Sequence, residues 1–300
     1  MNVVKSLALG LLSFLLFLSI SIFGLAFTLN STILNPDFIV SQFDRLDVSS
    51  LTGELFREQI TGQIPEELEF ITDETIDDIL ADAEPWLKEQ ATAAIYTSYD
   101  YLLGRSETLS LVIPTEPLKD ILKDNLWQAL LESPPPEAAG LPPDVLEEQF
   151  EQFFQEFSAG IPSTFELNEN SIPTEVMTQL EQARQYINYY QIGYKALIGF
   201  MALLVIGIIL LNRQIRVITR GLGTTLLAYG ALGYGGILAT KHLVLPRLPL
   251  YEIPVSLQAW LPQLYSDLLH PMEIFSIGLL VGGIVLLIVS FVYKPRQASL

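Results

Sequence analysis

The chain of 300 residues has no cysteine, two histidines and few charges. Without cysteine there are no disulfides, thiolate metal sites, iron–sulfur clusters or cysteine nucleophiles. Charged residues make up 17% of the chain, where soluble domains average about 25%; an ordinary soluble enzyme is therefore a poor description. Bases are scarcer than acids, 16 against 34. A chain so short of positive charge offers phosphate no basic face, which argues against nucleic acid as a partner. Catalytic signatures are missing too. There is no G-x-S-x-G, no H-E-x-x-H, no Walker-type phosphate loop and no G-x-G-x-x-G opening a helix after a strand. The sequence assigns no catalytic, cofactor-binding or metal residue.

What the chain does have is long apolar runs. Residues 6–28, 192–212, 222–240 and 274–293 each approach or exceed the roughly 20 residues that cross a hydrocarbon core. The first run is longer than the h-region of a signal peptide and no A-x-A site follows it, so it reads as a retained anchor. Basic residues set the orientation. With the N-terminus in the cytoplasm, the inner segments carry Lys5, Arg213, Arg216, Arg220, Lys294 and Arg296 and no acid. Residues 29–191, between the first two runs, hold 31 acids and 7 bases, a formal charge of −24. The expected fold is a mainly α membrane protein: four transmembrane helices plus a helical extracytoplasmic domain carrying a small two-stranded β element. Both termini are expected in the cytoplasm of a cell-membrane protein.

Within residues 29–191, Asn35-Pro36 opens a helix with Asn as N-cap and Pro at the first helical position. Further helices are expected over 50–61, 72–83, 85–103, 115–131 and 144–158, with Pro85 dividing the third from the fourth and Gly104 closing the fourth. Thr108–Ile113 alternates with period two, Ser163–Asn168 is a second short strand candidate, and the two should pair. Five prolines make 133–143 a surface loop. From Pro173 a helical stripe runs without a break into the second apolar run, with Tyr186, Tyr189, Tyr190 and Tyr194 as an interfacial belt. The second outer segment, 241–273, reads as an extended start followed by an interfacial helix with Leu257, Trp260, Leu261, Leu264 and Leu268 on one face.

The order of these features, with the stretches NPDF, PWLKEQ and YLLGRSETLSLVI, resembles a family of prokaryotic four-span integral membrane proteins with a large acidic outer loop. The resemblance implies that architecture and brings no activity, cofactor or site residue with it. The span pattern also resembles the permease subunits of macrolide-exporter and cell-division type ABC systems, in topology only.

Each candidate site has a plainer reading beside it. The acidic run Asp73–Glu84 lacks EF-hand spacing and its glycine turn, so it reads as a solvated helix face. Asp267, His270 and Glu273 with His242 are the residues a metal site would use, against a wet interfacial loop. The stripe Phe150, Phe153, Phe154 and Phe157 reads as domain core more readily than as a lipid groove. Asn30-Ser31-Thr32 matches a glycosylation sequon that a chance match explains as well. Small-residue ridges at Ala196, Gly199 and Ala202, at Ala231 and Gly235, and at Gly278 and Gly282 permit close helix packing, within the chain or with a membrane partner. The lipid bilayer is the expected partner, and no cofactor is expected. The sequence thus favours a non-enzymatic binding, sensing or assembly protein acting through residues 29–191. A permease-type subunit driven by a separate ATPase and an outer-surface enzyme are the alternatives.

Overall fold

Helices account for most of the chain in the computed structural model, which describes residues 3–46, 71–136, 138, 140–211, 214–244, 247, 255–258 and 260–292. The helix expected over 50–61 lies outside the described residues. In chain order the elements are α1 (Val3–Ser31), α2 (Pro36–Phe43), α3 (Asp73–Leu102), β1 (Ser110–Pro114), α4 (Glu116–Glu132), α5 (Pro143–Ala159), β2 (Thr164–Asn168), α6 (Thr174–Leu211), α7 (Ile215–Ala239, then a π turn over Thr240–Val244), α8 (Val255–Gln258) and α9 (Trp260–Val292). α1, α6, α7 with its π turn, and α9 are each long and apolar enough to cross a membrane, the mark of a multi-pass membrane protein. The chain divides into two compact units, 1–39 with 185–300 and 40–184.

The first unit is built on α1, the C-terminal part of α6, α7 and α9. Leu16, Ile20, Leu204, Ile208 and Tyr229 are its buried centre. Its closest packing is between α7 and α9, where small residues recur every seven positions on both helices. Gly223 meets Gly283, and Gly230 meets Ser276 and Leu280. One step further along, Ser290 Oγ donates to the Arg216 carbonyl at 3.1 Å. A Cβ at Gly230 would lie 2.8 Å from the Leu280 nitrogen and the Ser276 carbonyl oxygen, and one at Gly283 would lie 2.7 Å from the Leu227 nitrogen. The two backbones therefore touch. A seven-residue repeat keeps one seam facing its partner, as in a left-handed coiled coil. The ridges singled out by three- and four-residue spacing are not this seam. A Cβ at Gly199, Gly235 or Gly278 would meet nothing within 4 Å, and one at Gly282 only Leu226 at 3.9 Å.

In the second unit, α3 begins at a capping box in which Thr72 and Thr75 exchange side-chain and backbone hydrogen bonds. Its exposed face carries Asp73, Glu74, Asp77, Asp78 and Asp82; Thr75, Ile76, Leu80 and Ala83 are buried on the opposite face. Pro85 does not divide it. The helix runs through to Leu102, a correction to the two-helix reading. Proline removes the donor to the carbonyl four residues back and crowds it. Here Ala81 and Pro85 both lie on the exposed side, where water can serve that carbonyl. Gly104 follows the helix in the left-handed region, φ 72°; the Arg105 nitrogen closes the end on the Asp100 carbonyl at 2.8 Å.

The core of this unit lies between α4 and α5: Leu126, Ala129, Leu130, Leu146, Phe150 and Phe154, with Ile79 of α3 packed against it. Trp127 and Phe150 are 5.0 Å apart between ring centroids. The expected strand pair forms: β1 and β2 are antiparallel, with Leu111 opposite Leu167 and Ile113 opposite Phe165. Trp86 of α3 donates from Nε1 to the Pro114 carbonyl at 3.2 Å, which fixes β1 on α3. Thr115, fully buried, donates its hydroxyl to the Pro162 carbonyl and its N–H to the Ser163 carbonyl, joining the start of α4 to the approach to β2.

Candidate functional site

The residue types able to do chemistry fall in three places. The first is the exposed acidic face of α3. Asp73, Glu74, Asp77, Asp78 and Asp82 are all exposed there. Asp82 is tied across the unit: Asn125 of α4, itself buried, donates from Nδ2 to Asp82 at 2.9 Å and to the Ile121 carbonyl at 3.0 Å. Among the described residues no three histidine, aspartate or glutamate side chains come together as metal ligands do. Elsewhere in the unit, Lys123 of α4 reaches Glu151 of α5 at 2.6 Å. The hydrogen bond that the ammonium donates to this carboxylate holds the lysine above its ordinary pKa. Burial pushes the Tyr99 phenol of α3 up in the same direction.

The second place is the end of the α7–α9 seam. Lys241, in the π turn that ends α7, lies 2.6 Å from Glu273 of α9, and both side chains are largely covered. Of the four residues weighed as metal ligands, Glu273 is thus taken by an ammonium group. His242 and His270 are exposed. A partly covered carboxylate and ammonium offset each other's desolvation when they meet. Their pairing ties the end of α7 to the body of α9. α9 is helical from Trp260 to Val292, across Pro271, so Trp260, Leu261, Leu264 and Leu268 of the expected interfacial helix share one element with the fourth apolar run, while Leu257 lies in α8.

The third place is α6. It is a single helix of 38 residues from Thr174 to Leu211, about 57 Å long at 1.5 Å per residue. The division between the two units falls inside it, after Arg184. In the second unit, Arg184 donates to the Ser106 carbonyl at 3.0 Å and lies 4.6 Å from the centre of the Tyr101 ring. A guanidinium over a buried ring combines charge, stacking and a hydrogen bond. In the first unit, Tyr190 donates its hydroxyl to the Ala26 carbonyl of α1, and Tyr194 stacks on Phe23 at 5.4 Å. Two tyrosines of the sequence-derived belt are therefore packing groups, while Tyr186 and Tyr189 are exposed.

Arg184, Tyr101 and Ser106 were not singled out in the sequence. They are 78 residues apart at the ends of that hydrogen bond, and nothing in the local pattern links them. The phenylalanine stripe is core as expected: Phe150 and Phe154 are buried, Phe153 packs beside them, and Phe157 is 39% exposed at the margin. The sequon lies in the end of α1, where the buried Thr32 hydroxyl donates to the Thr28 carbonyl at 2.7 Å. Ala196, Gly199 and Ala202 on α6 and Gly278 on α9 are exposed, and Gly282 is partly covered.

No known protein family, characterised protein or solved structure matches this chain.

Proposed function

We propose that the chain is a membrane protein with residues 29–191 outside the cytoplasm and both termini inside, and that it works by binding at this outer domain, with no chemistry of its own. The observation that carries the reading is α6. One unbroken helix takes the chain from a unit rich in acids into an apolar stretch in which Lys195 is the one charged residue after Arg184. Six basic residues at the cytoplasmic ends, with no acid among them, support the orientation. The exposed small residues Ala196, Gly199, Ala202 and Gly278, with the partly covered Gly282, are the surface we assign to a membrane-protein partner. An ATPase-driven permease is the weaker reading, because only residues 212–214 separate α6 from α7 and no coupling helix fits between them.

The test is complementation. A strain deleted for the gene receives either the full chain or a chain in which residues 73–168 are replaced by a Gly-Ser linker. The reading predicts that the replacement fails to complement although it reaches the membrane at normal levels. Full complementation by the shortened chain would contradict it. Insertion of Gly-Gly-Pro after Asn188 asks the narrower question. Loss of complementation assigns α6 a coupling role; normal complementation leaves it a spacer.

A further inference from the structure

The four apolar helices leave part of the space between them unfilled. A cavity of about 200 Å³, partly open to the outside, lies between α1, α6, α7 and α9. Ile20 of α1, Met201 and Val205 of α6, Leu226 of α7 and Phe275 of α9 are in its wall, and every lining side chain is apolar. On α9 the lining extends from Phe275 to Leu286, roughly 16 Å of helix axis, so the cavity is elongated.

Its origin is a mismatch in spacing. Glycine and serine let α7 and α9 touch along their seam. At one end of the cavity, Phe23 is wedged between Tyr194 of α6 and Phe275 of α9, 5.4 and 5.7 Å from their ring centres. Further along, Leu204 and Ile208 close α6 onto the core. The aromatic wedge thus holds α6 away from a pair of helices that cannot open.

The apolar lining of the cavity offers water no donor or acceptor to hold it there. Left empty, its walls lack contact partners on one side. The outward faces of the same helices are apolar as well, with Leu203 and Leu210 on α6 and Val281 and Val285 on α9 exposed. If these helices cross a bilayer, the medium at the mouth of the cavity is hydrocarbon. We propose that the cavity is a binding site for one acyl chain of a bilayer phospholipid, lying lengthwise along α9 against Met201 and Val205. The flexible thioether of Met201 adapts to such a chain. This site rests on the membrane reading given above.

The experiment uses the full-length protein in palmitoyl-oleoyl phosphatidylcholine vesicles. A trace of the same lipid carries a diazirine midway along one acyl chain. After photolysis, adducts are mapped by peptide mass spectrometry. The site predicts adducts on Met201 and Val205 at yields comparable to those on the outward Leu203 and Leu210. In Val205→Phe, which fills the cavity, adducts on Met201 should fall roughly tenfold while those on Leu203 and Leu210 persist, because a close-packed wall excludes the chain. Wild-type protein labelled at Leu203 and Leu210 but not at Met201 or Val205 overturns the acyl-chain site and leaves the membrane reading standing. This wild-type map decides the question even if Val205→Phe does not fold. Absence of adducts at all four positions overturns both.

Discussion

Single side chains hold the second unit together in ways that differ sharply with burial. Phe154 is 7% exposed inside the α4–α5 core, whereas Phe157, one turn on, is 39% exposed. Truncating a buried phenylalanine removes its transfer free energy and leaves a cavity. Phe154→Ala should therefore cost about 3–5 kcal/mol, and Phe157→Ala clearly less, measured by chemical unfolding of the purified full-length protein. Equal losses would mean that the stripe is not core. Thr115 is a polar counterpart. Its hydroxyl is fully buried and serves the Pro162 carbonyl. Thr115→Val keeps the shape and strands that carbonyl, at a cost of about 1–3 kcal/mol. Thr115→Ser should recover most of the loss. Failure of serine to do so would assign the effect to the methyl group.

At the level of elements, the α7–α9 seam makes a prediction whose sign depends on position. Ala is a better helix former than Gly by roughly 1 kcal/mol, so Gly235→Ala and Gly278→Ala, where a Cβ meets nothing, should leave the detergent-solubilised protein unchanged or slightly more stable. Gly230→Ala and Gly283→Ala drive a methyl group into the backbone of the facing helix and should cost about 1–3 kcal/mol, as overpacking does. Thermal unfolding of the four variants decides it, and a uniform response would remove the seam. Much of the element plan was legible in the sequence. Apolar length gave the four long helices, alternation gave the strand pair, and the periodicity of Phe150, Phe153 and Phe154 gave the core. The seam was not, because small residues recur at four-residue spacing along the same helices, and only the facing helix selects Gly223, Gly230 and Gly283. Pro85 was read as a break, and the fourth apolar run as an element apart from the segment that holds Pro271. Proline ends a helix by local chemistry, and at both positions the helix continues. The pairing of Arg184 with Tyr101 and Ser106 joins distant parts of the chain, which no local pattern encodes.

For the whole molecule, charge and apolar length act together. Residues 29–191 hold 31 of the 34 acids, while the proposed cytoplasmic ends hold six bases and no acid. The bundle has its tightest contact between its last two long helices, and α6 carries the chain from the acidic residues into the apolar ones. A binding function at the outer domain requires that this domain be outside. Because the native chain has no cysteine, each introduced thiol reports alone. Intact cells expressing Ser133→Cys or Ser299→Cys are treated with a membrane-impermeant maleimide, and lysed cells serve as the control for reactivity. The account predicts labelling of Ser133→Cys in intact cells and of Ser299→Cys only after lysis. Labelling of Ser299→Cys in intact cells, with Ser133→Cys protected until lysis, would contradict it.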